Sequence, residues 1–200
     1  MQINPSEITE REVYKLLTGS VLPRPLGFIS TVGREGPNLA PFSFFNCVSS
    51  SPPMVAFSLQ PGTNGPKDTL RNIQENSEFV VNIVSRSFLE KVNITAEDFA
   101  PEVNEFNVSG LTETPSKVVK PPSVYESKVK LECKLHTILP LGKDTLVIGE
   151  VILFNVNDDV LLERYRIDID KLDPIGRLAG SLYSTCENRI IIKRPKKGGL

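Results

Sequence analysis

The 200-residue sequence contains no tryptophan, one histidine (His136) and three cysteines. Cys47, Cys133 and Cys186 are widely spaced and form no CxxC pair. Since zinc and iron–sulfur sites need clustered thiolates or imidazoles, no metal ligands are predicted. Histidine-based catalysis has a single candidate, so an enzyme of this composition would depend on a bound cofactor for its reaction.

A strong net charge and a long apolar run are also missing. The formal net charge is −1. A near-neutral protein does not attract nucleic acid or an anionic membrane strongly, so neither is predicted as a partner. No apolar stretch approaches the roughly 20 residues that span a bilayer, and no apolar leader opens the sequence. We therefore expect a cytoplasmic protein with reduced thiols. The length favours a single domain over residues 1–200, with a loose tail at about 193–200.

Extended segments dominate the sequence. They are short, bounded by glycine and proline, and spaced as in antiparallel sheets rather than in βαβ units. Closing such a sheet removes its exposed edges, so the prediction is a mainly β protein with an antiparallel barrel of Greek-key type. The predicted strands span residues 26–32, 38–49, 54–59, 79–84, 128–138 and 146–156.

Short helices are predicted between these strands. Thr9 and Glu12 have the spacing of a capping box, and Gly19 is the expected end of that helix. Asp68 is the expected N-cap of a second helix. The remaining predictions are a helix from a Ser87–Glu90 capping box to about residue 96, an irregular segment at 101–110 and an extended surface connection at 115–123.

The clearest strand is 128–138, where apolar and polar residues alternate. This pattern predicts a half-buried strand whose polar face carries Lys130, Glu132 and His136. His136 is therefore expected to be solvated. The alternative is that this face turns toward a ligand or a partner subunit.

One candidate site lies at the start of the second helix. A helix N-terminus offers unpaired N–H groups and a partial positive charge, and Lys67 and Thr69 add an ammonium group and a hydroxyl. This combination suits a phosphate monoester. The alternative is an ordinary capped helix with an exposed lysine.

A second candidate site is the segment 38–50, which mixes phenylalanine, serine and asparagine. Ligand pockets combine apolar walls with a few fixed polar groups in this way. The alternative is a strand of the core, which is where phenylalanine-rich strands are most often found.

Together these segments resemble a known family. RPLGFIST (24–31), NLAPFSFFNCVSSSPP (38–53), KDTLRNI (67–73) and LDPIGRLAGSLYS (172–184) occur in the order typical of the flavin reductase-like domain family, the FMN-binding split β-barrels. The resemblance implies a homodimer with FMN near the subunit interface. The residues it implies as FMN-binding are Arg24, Ser43, Phe44, Phe45, Asn46, Cys47, Ser49, Ser50, Lys67, Thr69 and Tyr183.

Three functions are compatible with these observations. The first is an FMN-dependent oxidoreductase of the flavin reductase type, with NADH or NADPH as the transient hydride donor; no G-x-G-x-x-G fingerprint is present, so nicotinamide binding would not be Rossmann-like. The second is a flavoredoxin-like electron carrier that serves a redox protein partner. The third is a β-barrel interaction protein without a cofactor, whose basic tail at 193–197 contacts nucleic acid or lipid weakly.

Overall fold

The computed structural model describes residues 1–62 and 65–193. Of the tail predicted at 193–200, only Lys193 is among the described residues. In chain order the helices are α1 Glu10–Ser20, α2 Asp68–Asn76, α3 Leu89–Ile94, α4 Glu105–Ser109 and α5 Ile169–Leu172. The strands are β1 Arg24–Pro25, β2 Gly27–Gly33, β3 Gly36–Phe42, β4 Phe45–Ser50, β5 Pro53–Leu59, β6 Glu78–Ile83, β7 Glu113–Thr114, β8 Ser123–Val124, β9 Val129–Leu141, β10 Asp144–Val156, β11 Leu161–Leu162, β12 Arg166–Ile167, β13 Gly176–Arg177 and β14 Tyr183–Ser184.

Seven strands form one antiparallel sheet in the order β3-β2-β6-β9-β10-β5-β4. The pairs β2–β3, β4–β5 and β9–β10 are hairpins along the chain, whereas β6 enters between β2 and β9. The sheet curls, so that Phe42 of β3 and Phe57 of β5 pack with ring centroids 5.1 Å apart. This architecture confirms the prediction of a mainly β antiparallel fold.

Each face of the sheet buries its own apolar cluster. Successive side chains of a strand point to opposite faces, and neighbouring Phe28 and Ile29 of β2 accordingly enter different clusters. The inner cluster contains Phe57 and Phe79. Gly149 of β10 leaves room for the Phe79 ring, since a Cβ there would lie 2.2 Å from its Cζ. The outer cluster packs α3 and α4 against the sheet.

The predicted strand at 38–49 is in fact two strands. β3 ends at Phe42 and β4 begins at Phe45, with a bend at residues 43 and 44. The break is required because β3 and β4 lie at opposite edges of the sheet. The carbonyl oxygen of Phe44 accepts a hydrogen bond from the Ser58 N–H at 2.9 Å.

The beginning of α1 is confirmed and its predicted end is wrong. Thr9 and Glu12 form the reciprocal capping box. Gly19 lies inside the helix, which continues to Ser20. The Val21 N–H still donates to the Leu17 carbonyl at 2.9 Å, so the helical ladder passes Gly19.

The second predicted N-cap is also wrong. Lys67, not Asp68, is the N-cap residue of α2, and it makes no side-chain capping bond. The Asp68 carboxylate instead pairs with Arg71 on the next turn. An ion pair at this helical spacing competes with the cap for the same carboxylate.

The segment 86–110 contains more and different helix than predicted. Ser87 caps nothing, because a 3₁₀ turn at Arg86–Phe88 precedes α3 and the side chains at Ser85 and Phe88 make no capping bond. The region predicted as irregular contains α4, whose first turn is capped by Asn104 through the Phe106 N–H at 2.9 Å.

The polar face of β9 is buried in its first half. Lys130 is 6% exposed and Glu132 is fully buried, whereas His136 is exposed as expected. The segment 115–124 lies over this face, and the Glu132 carboxylate accepts the N–H groups of Lys117 and Val118 at 2.7–3.0 Å. The predicted surface connection is partly exposed, as expected, and it covers the first half of β9, whose polar face is therefore buried rather than solvated.

Candidate functional site

An open cavity of about 670 Å³ lies where the end of β3 meets the start of α2. Tyr14 of α1 and residues 95–101 between α3 and α4 also line it. The cavity size lies within the range of small-molecule sites, roughly 300–1,000 Å³.

Aromatic rings form the apolar part of this cavity. Tyr14 and Phe44 stack with their ring centroids 6.5 Å apart and an interplanar angle of 25°. Phe44 reaches this position because the chain bends there between β3 and β4. Phe42 and Phe99 also line the cavity. Such rings suit a flat heteroaromatic ligand, whose faces need apolar contacts.

Lys67 supplies a cation to the same cavity. It stands immediately before α2, so its ammonium group and the first N–H groups of the helix share one region. The Lys67 Nζ lies 2.6 Å from Oδ1 of Asp98, which lines the same cavity. An anion that approaches Lys67 therefore shares it with, or takes it from, this carboxylate.

Thr69 lines the cavity from the first turn of α2 but is only 1% exposed. Its hydroxyl donates a hydrogen bond to Oδ1 of Asn38 on β3 at 2.9 Å. The proton of this hydroxyl is thus directed toward β3. What the first turn offers the cavity is its backbone N–H groups.

Glu105 at the start of α4 is the third polar residue, with Thr69 and Asn38, that lines the cavity here. It is 5% exposed, and its two carboxylate oxygens accept from Asn38 Nδ2 at 2.8 Å and from the Leu39 N–H at 3.1 Å. Burial raises the pKa of the Glu105 carboxyl above 4.5, against the lowering effect of these hydrogen bonds. A carboxyl group with a raised pKa in a cleft is a feature of functional sites.

The cavity unites some of the residues predicted to bind a cofactor. Ser43, Phe44, Lys67 and Thr69 line it together, which joins the two candidate sites of the sequence. Phe45 packs against the inner core cluster. Among the described residues, the lining does not include Arg24, Phe45, Asn46, Cys47, Ser49, Ser50 or Tyr183.

Two of the residues outside the lining, Arg24 and Tyr183, have contacts elsewhere in this chain. The guanidinium of Arg24 is buried and donates to the carbonyls of Thr18, Val21 and Leu178 at 2.6–3.0 Å. Tyr183 stacks under the Arg177 guanidinium, 4.4 Å from its ring centroid. Their role in cofactor binding stays a prediction.

The lining residues absent from the predicted set include Tyr14, Asn38, Asp98 and Glu105. Asn38 stands at the head of the phenylalanine-rich segment, so the signal for it was present. Asp98 and Glu105 reach the site only because the chain between α3 and α4 folds back over β3, which no local pattern indicates.

Two general observations concern the described part of the chain. Within residues 1–62 and 65–193, no helix is long and apolar enough to cross a membrane. The same residues contain no group of three or more histidine, cysteine or acidic side chains arranged to hold a metal ion.

Solved structures with the same architecture cover almost the whole chain. Nitrilotriacetate monooxygenase component B from Bacillus cereus is 39% identical, with 96% of this chain and 98% of that chain covered at a TM-score of 0.92. The 2-nitrobenzoate 2-nitroreductase of Pseudomonas fluorescens is 31% identical, with coverages of 98% and 96% and a TM-score of 0.89. Flavoredoxin of Desulfovibrio vulgaris is 26% identical, with coverages of 90% and 94% and a TM-score of 0.78.

The fold shared with these proteins is the split barrel. The family described as "Flavin reductase like domain" matches residues 18–171. This span contains β1–β12, α2–α4 and most of the cavity lining. The chain therefore belongs to the flavin reductase-like domain family.

Proposed function

We propose that the protein binds FMN in this cavity and acts as an NAD(P)H-dependent oxidoreductase of the flavin reductase type. The observation that carries the proposal is the shared cavity of Lys67, the α2 N-terminus and the Tyr14–Phe44 ring pair. The cation and the helix N-terminus suit a phosphate monoester, and the ring pair suits a flat ring system.

The chain's own residues provide binding and orientation. The ammonium of Lys67 and the first N–H groups of α2 hold the phosphate end, and the aromatic rings exclude water from the other end. A bound flavin supplies the hydride acceptor that the protein's side chains lack. Hydride transfer depends on alignment more than on acid–base groups, which agrees with a chain that has one exposed histidine.

The first test is anaerobic reduction of the FMN-loaded protein by NADH and, separately, by NADPH. We expect an FMN absorption band in the purified or reconstituted protein and its bleaching within seconds at micromolar protein. Free FMN at the same concentration is the control. A protein that retains FMN but is not bleached would be an electron carrier, a reading that the similarity to flavoredoxin supports. A colourless protein that ignores added FMN would contradict both functions.

We also propose that the protein is a homodimer with α1 at the interface. Leu16, Leu17, Val21 and Leu22 are 44–60% exposed and form an apolar patch on and after α1. Such a cluster is typical of an interaction surface. Because Tyr14 of the same helix lines the cavity, a subunit packed on α1 would lie beside the site.

Sedimentation equilibrium tests this arrangement. We expect a dimer for the wild type and at least tenfold weaker association for Leu17→Glu, since a carboxylate would lose its water in the contact. Lys15→Glu, an exposed neighbour on the same helix, is the matched control. A monomeric wild type, or a Leu17→Glu variant that associates like the control, would refute the interface.

A further inference from the structure

A connected set of buried polar groups underlies the phosphate end of the cavity. Asn38 Oδ1 accepts from the hydroxyls of Thr69 at 2.9 Å and Thr31 at 3.3 Å, and Asn38 Nδ2 donates to Glu105 at 2.8 Å. Thr31 in turn accepts from Asn72 Nδ2 at 3.1 Å. Asn38 is 9% exposed and Glu105 is 5% exposed, so these bonds have little competition from water.

The polarity of this network is set by Glu105. An ionised carboxylate can only accept hydrogen bonds, so the NH₂ group of Asn38 must face Glu105 and its carbonyl oxygen must face Thr69. The Thr69 hydroxyl then has to donate to Asn38 and presents lone pairs, not a proton, to its other neighbours. In this arrangement the hydroxyl is a poor partner for a phosphate.

The opposite polarity pairs the groups of Glu105, Asn38 and Thr69 again. The Thr31 hydroxyl loses the Asn38 carbonyl as its acceptor, and the Asn72 amide must turn over as well so that its oxygen accepts from Thr31. If the carboxyl of Glu105 is neutral, its O–H can donate to the Asn38 carbonyl while its other oxygen still accepts from Leu39. The Asn38 amide then faces the other way and donates its NH₂ group to Thr69. The Thr69 hydroxyl becomes an acceptor on that side, and its proton is released to point into the cavity.

Charge acts in the same direction. Four acidic side chains but only two basic ones line the cavity: Asp68, Glu97, Asp98 and Glu105 against Lys67 and Arg71. The packed elements carry these charged residues: Lys67, Asp68, Arg71 and Glu75 on α2, Glu90 and Lys91 on α3, and Glu97, Asp98 and Glu102 between α3 and α4. Lys91 lies at the far end of α4, where it donates to the Gly110 carbonyl. β3 carries no charged residue. Neutralising Glu105 therefore removes a charge that repels an anion.

We infer that Glu105 is a positioning residue that sets, through Asn38, whether Thr69 offers a proton or a lone pair to the phosphate end of the ligand. The inference rests on the proposed FMN site and adds a proton-linked control of it. Glu105→Gln imitates the neutral state, because the Gln amide donates to the Asn38 carbonyl and its oxygen still accepts from Leu39.

The test compares FMN with riboflavin, which has the same ring but no phosphate. For Glu105→Gln we expect FMN to bind at least about tenfold more tightly than it binds to the wild type, since a hydrogen bond to a charged group is gained and a repulsion is lost. Riboflavin should change by less than about twofold on the same grounds. In a Thr69→Val background most of the gain should disappear, because the hydroxyl is no longer there to donate.

The pH dependence of FMN affinity is a second measurement, and a residue with a purely structural role would not change it. Burial raises the pKa of Glu105, and the neutral form is the one that favours the phosphate. FMN affinity of the wild type should therefore fall as the pH rises through the pKa of Glu105. Glu105→Gln should lack this step, while the ionisation of the phosphate itself affects both proteins alike.

Weaker FMN binding by Glu105→Gln, an equal change for riboflavin, or an undiminished gain in the Thr69→Val background would overturn the inference. If the wild type binds neither flavin, the proposed function fails. The network is then tested by isothermal titration of the same variants with inorganic phosphate. Tighter phosphate binding by Glu105→Gln that disappears in the Thr69→Val background supports the inference. Unchanged phosphate affinity of Glu105→Gln overturns it.

Discussion

Lys67→Met is expected to weaken FMN binding about 10- to 100-fold, as befits the loss of one charge-assisted hydrogen bond worth about 1.5–3 kcal/mol. Methionine keeps most of the length of the side chain and removes the ammonium group. The effect should stay below the upper limit because the Lys67 ammonium is shared with Asp98 at 2.6 Å. Fluorescence titration of both flavins measures it, and the affinity for riboflavin should be nearly unchanged.

Two further variants test the specificity of this result. Lys143→Met removes a lysine that is also paired with a carboxylate, 2.5 Å from Glu10 but more exposed and outside the cavity, and should leave both affinities unchanged. Asp98→Asn releases Lys67 from its ion pair and should strengthen FMN binding. If Lys67→Met weakened riboflavin as much as FMN, Lys67 would act on the ring or on folding rather than on the phosphate.

The sequence predicts well those parts of the fold that are local. The Thr9–Glu12 capping box forms as expected, and the strands at 54–59, 79–84 and 146–156 match β5, β6 and β10 to within two residues. In these segments the hydrophobic period and the turn residues agree with the tertiary structure. Local patterns suffice where no distant segment competes with them.

The candidate site could be predicted only in halves. The two segments around Phe44 and Lys67 were separate candidates, and each now lines the same cavity. Their connection depends on Asn38, which binds Thr69 across 31 residues and Glu105 across 67 residues. Hydrogen bonds between residues so far apart in sequence produce no periodic pattern, so the contacts of Asn38 with Thr69 and Glu105 could not be predicted from the sequence.

The buried face of β9 illustrates the same limit. Alternation correctly placed Glu132 opposite Leu131 and Cys133, but a polar residue was taken to mean a solvated face. Glu132 is instead an acceptor for the backbone of the chain that covers it. The connection between α4 and β9 has few strand partners of its own, so side chains of the sheet supply its hydrogen bonds.

Glu132→Ala should therefore destabilise the protein by about 2–4 kcal/mol, because two backbone N–H groups lose a charged acceptor and a cavity replaces the buried side chain. The carboxylate is fully buried and accepts three contacts of 2.7–3.0 Å from Lys117 and Val118. For a chain of this size, such a loss corresponds to a fall of about 4–16 °C in the thermal midpoint. Calorimetry and urea denaturation would measure both quantities.

Glu78→Ala is the matched control, because the same chemistry is repeated in a wetter place. Glu78 accepts the Lys120 N–H at 2.9 Å from the neighbouring strand β6, and this bond is exposed. Water can replace that carboxylate, so its removal should cost less than about 1 kcal/mol. Glu132→Gln should fall between the two, since one acceptor oxygen remains. Equal losses for Glu132→Ala and Glu78→Ala would mean that the 115–124 segment is held by its apolar contacts, chiefly Val119 and Val124, rather than by the buried carboxylate.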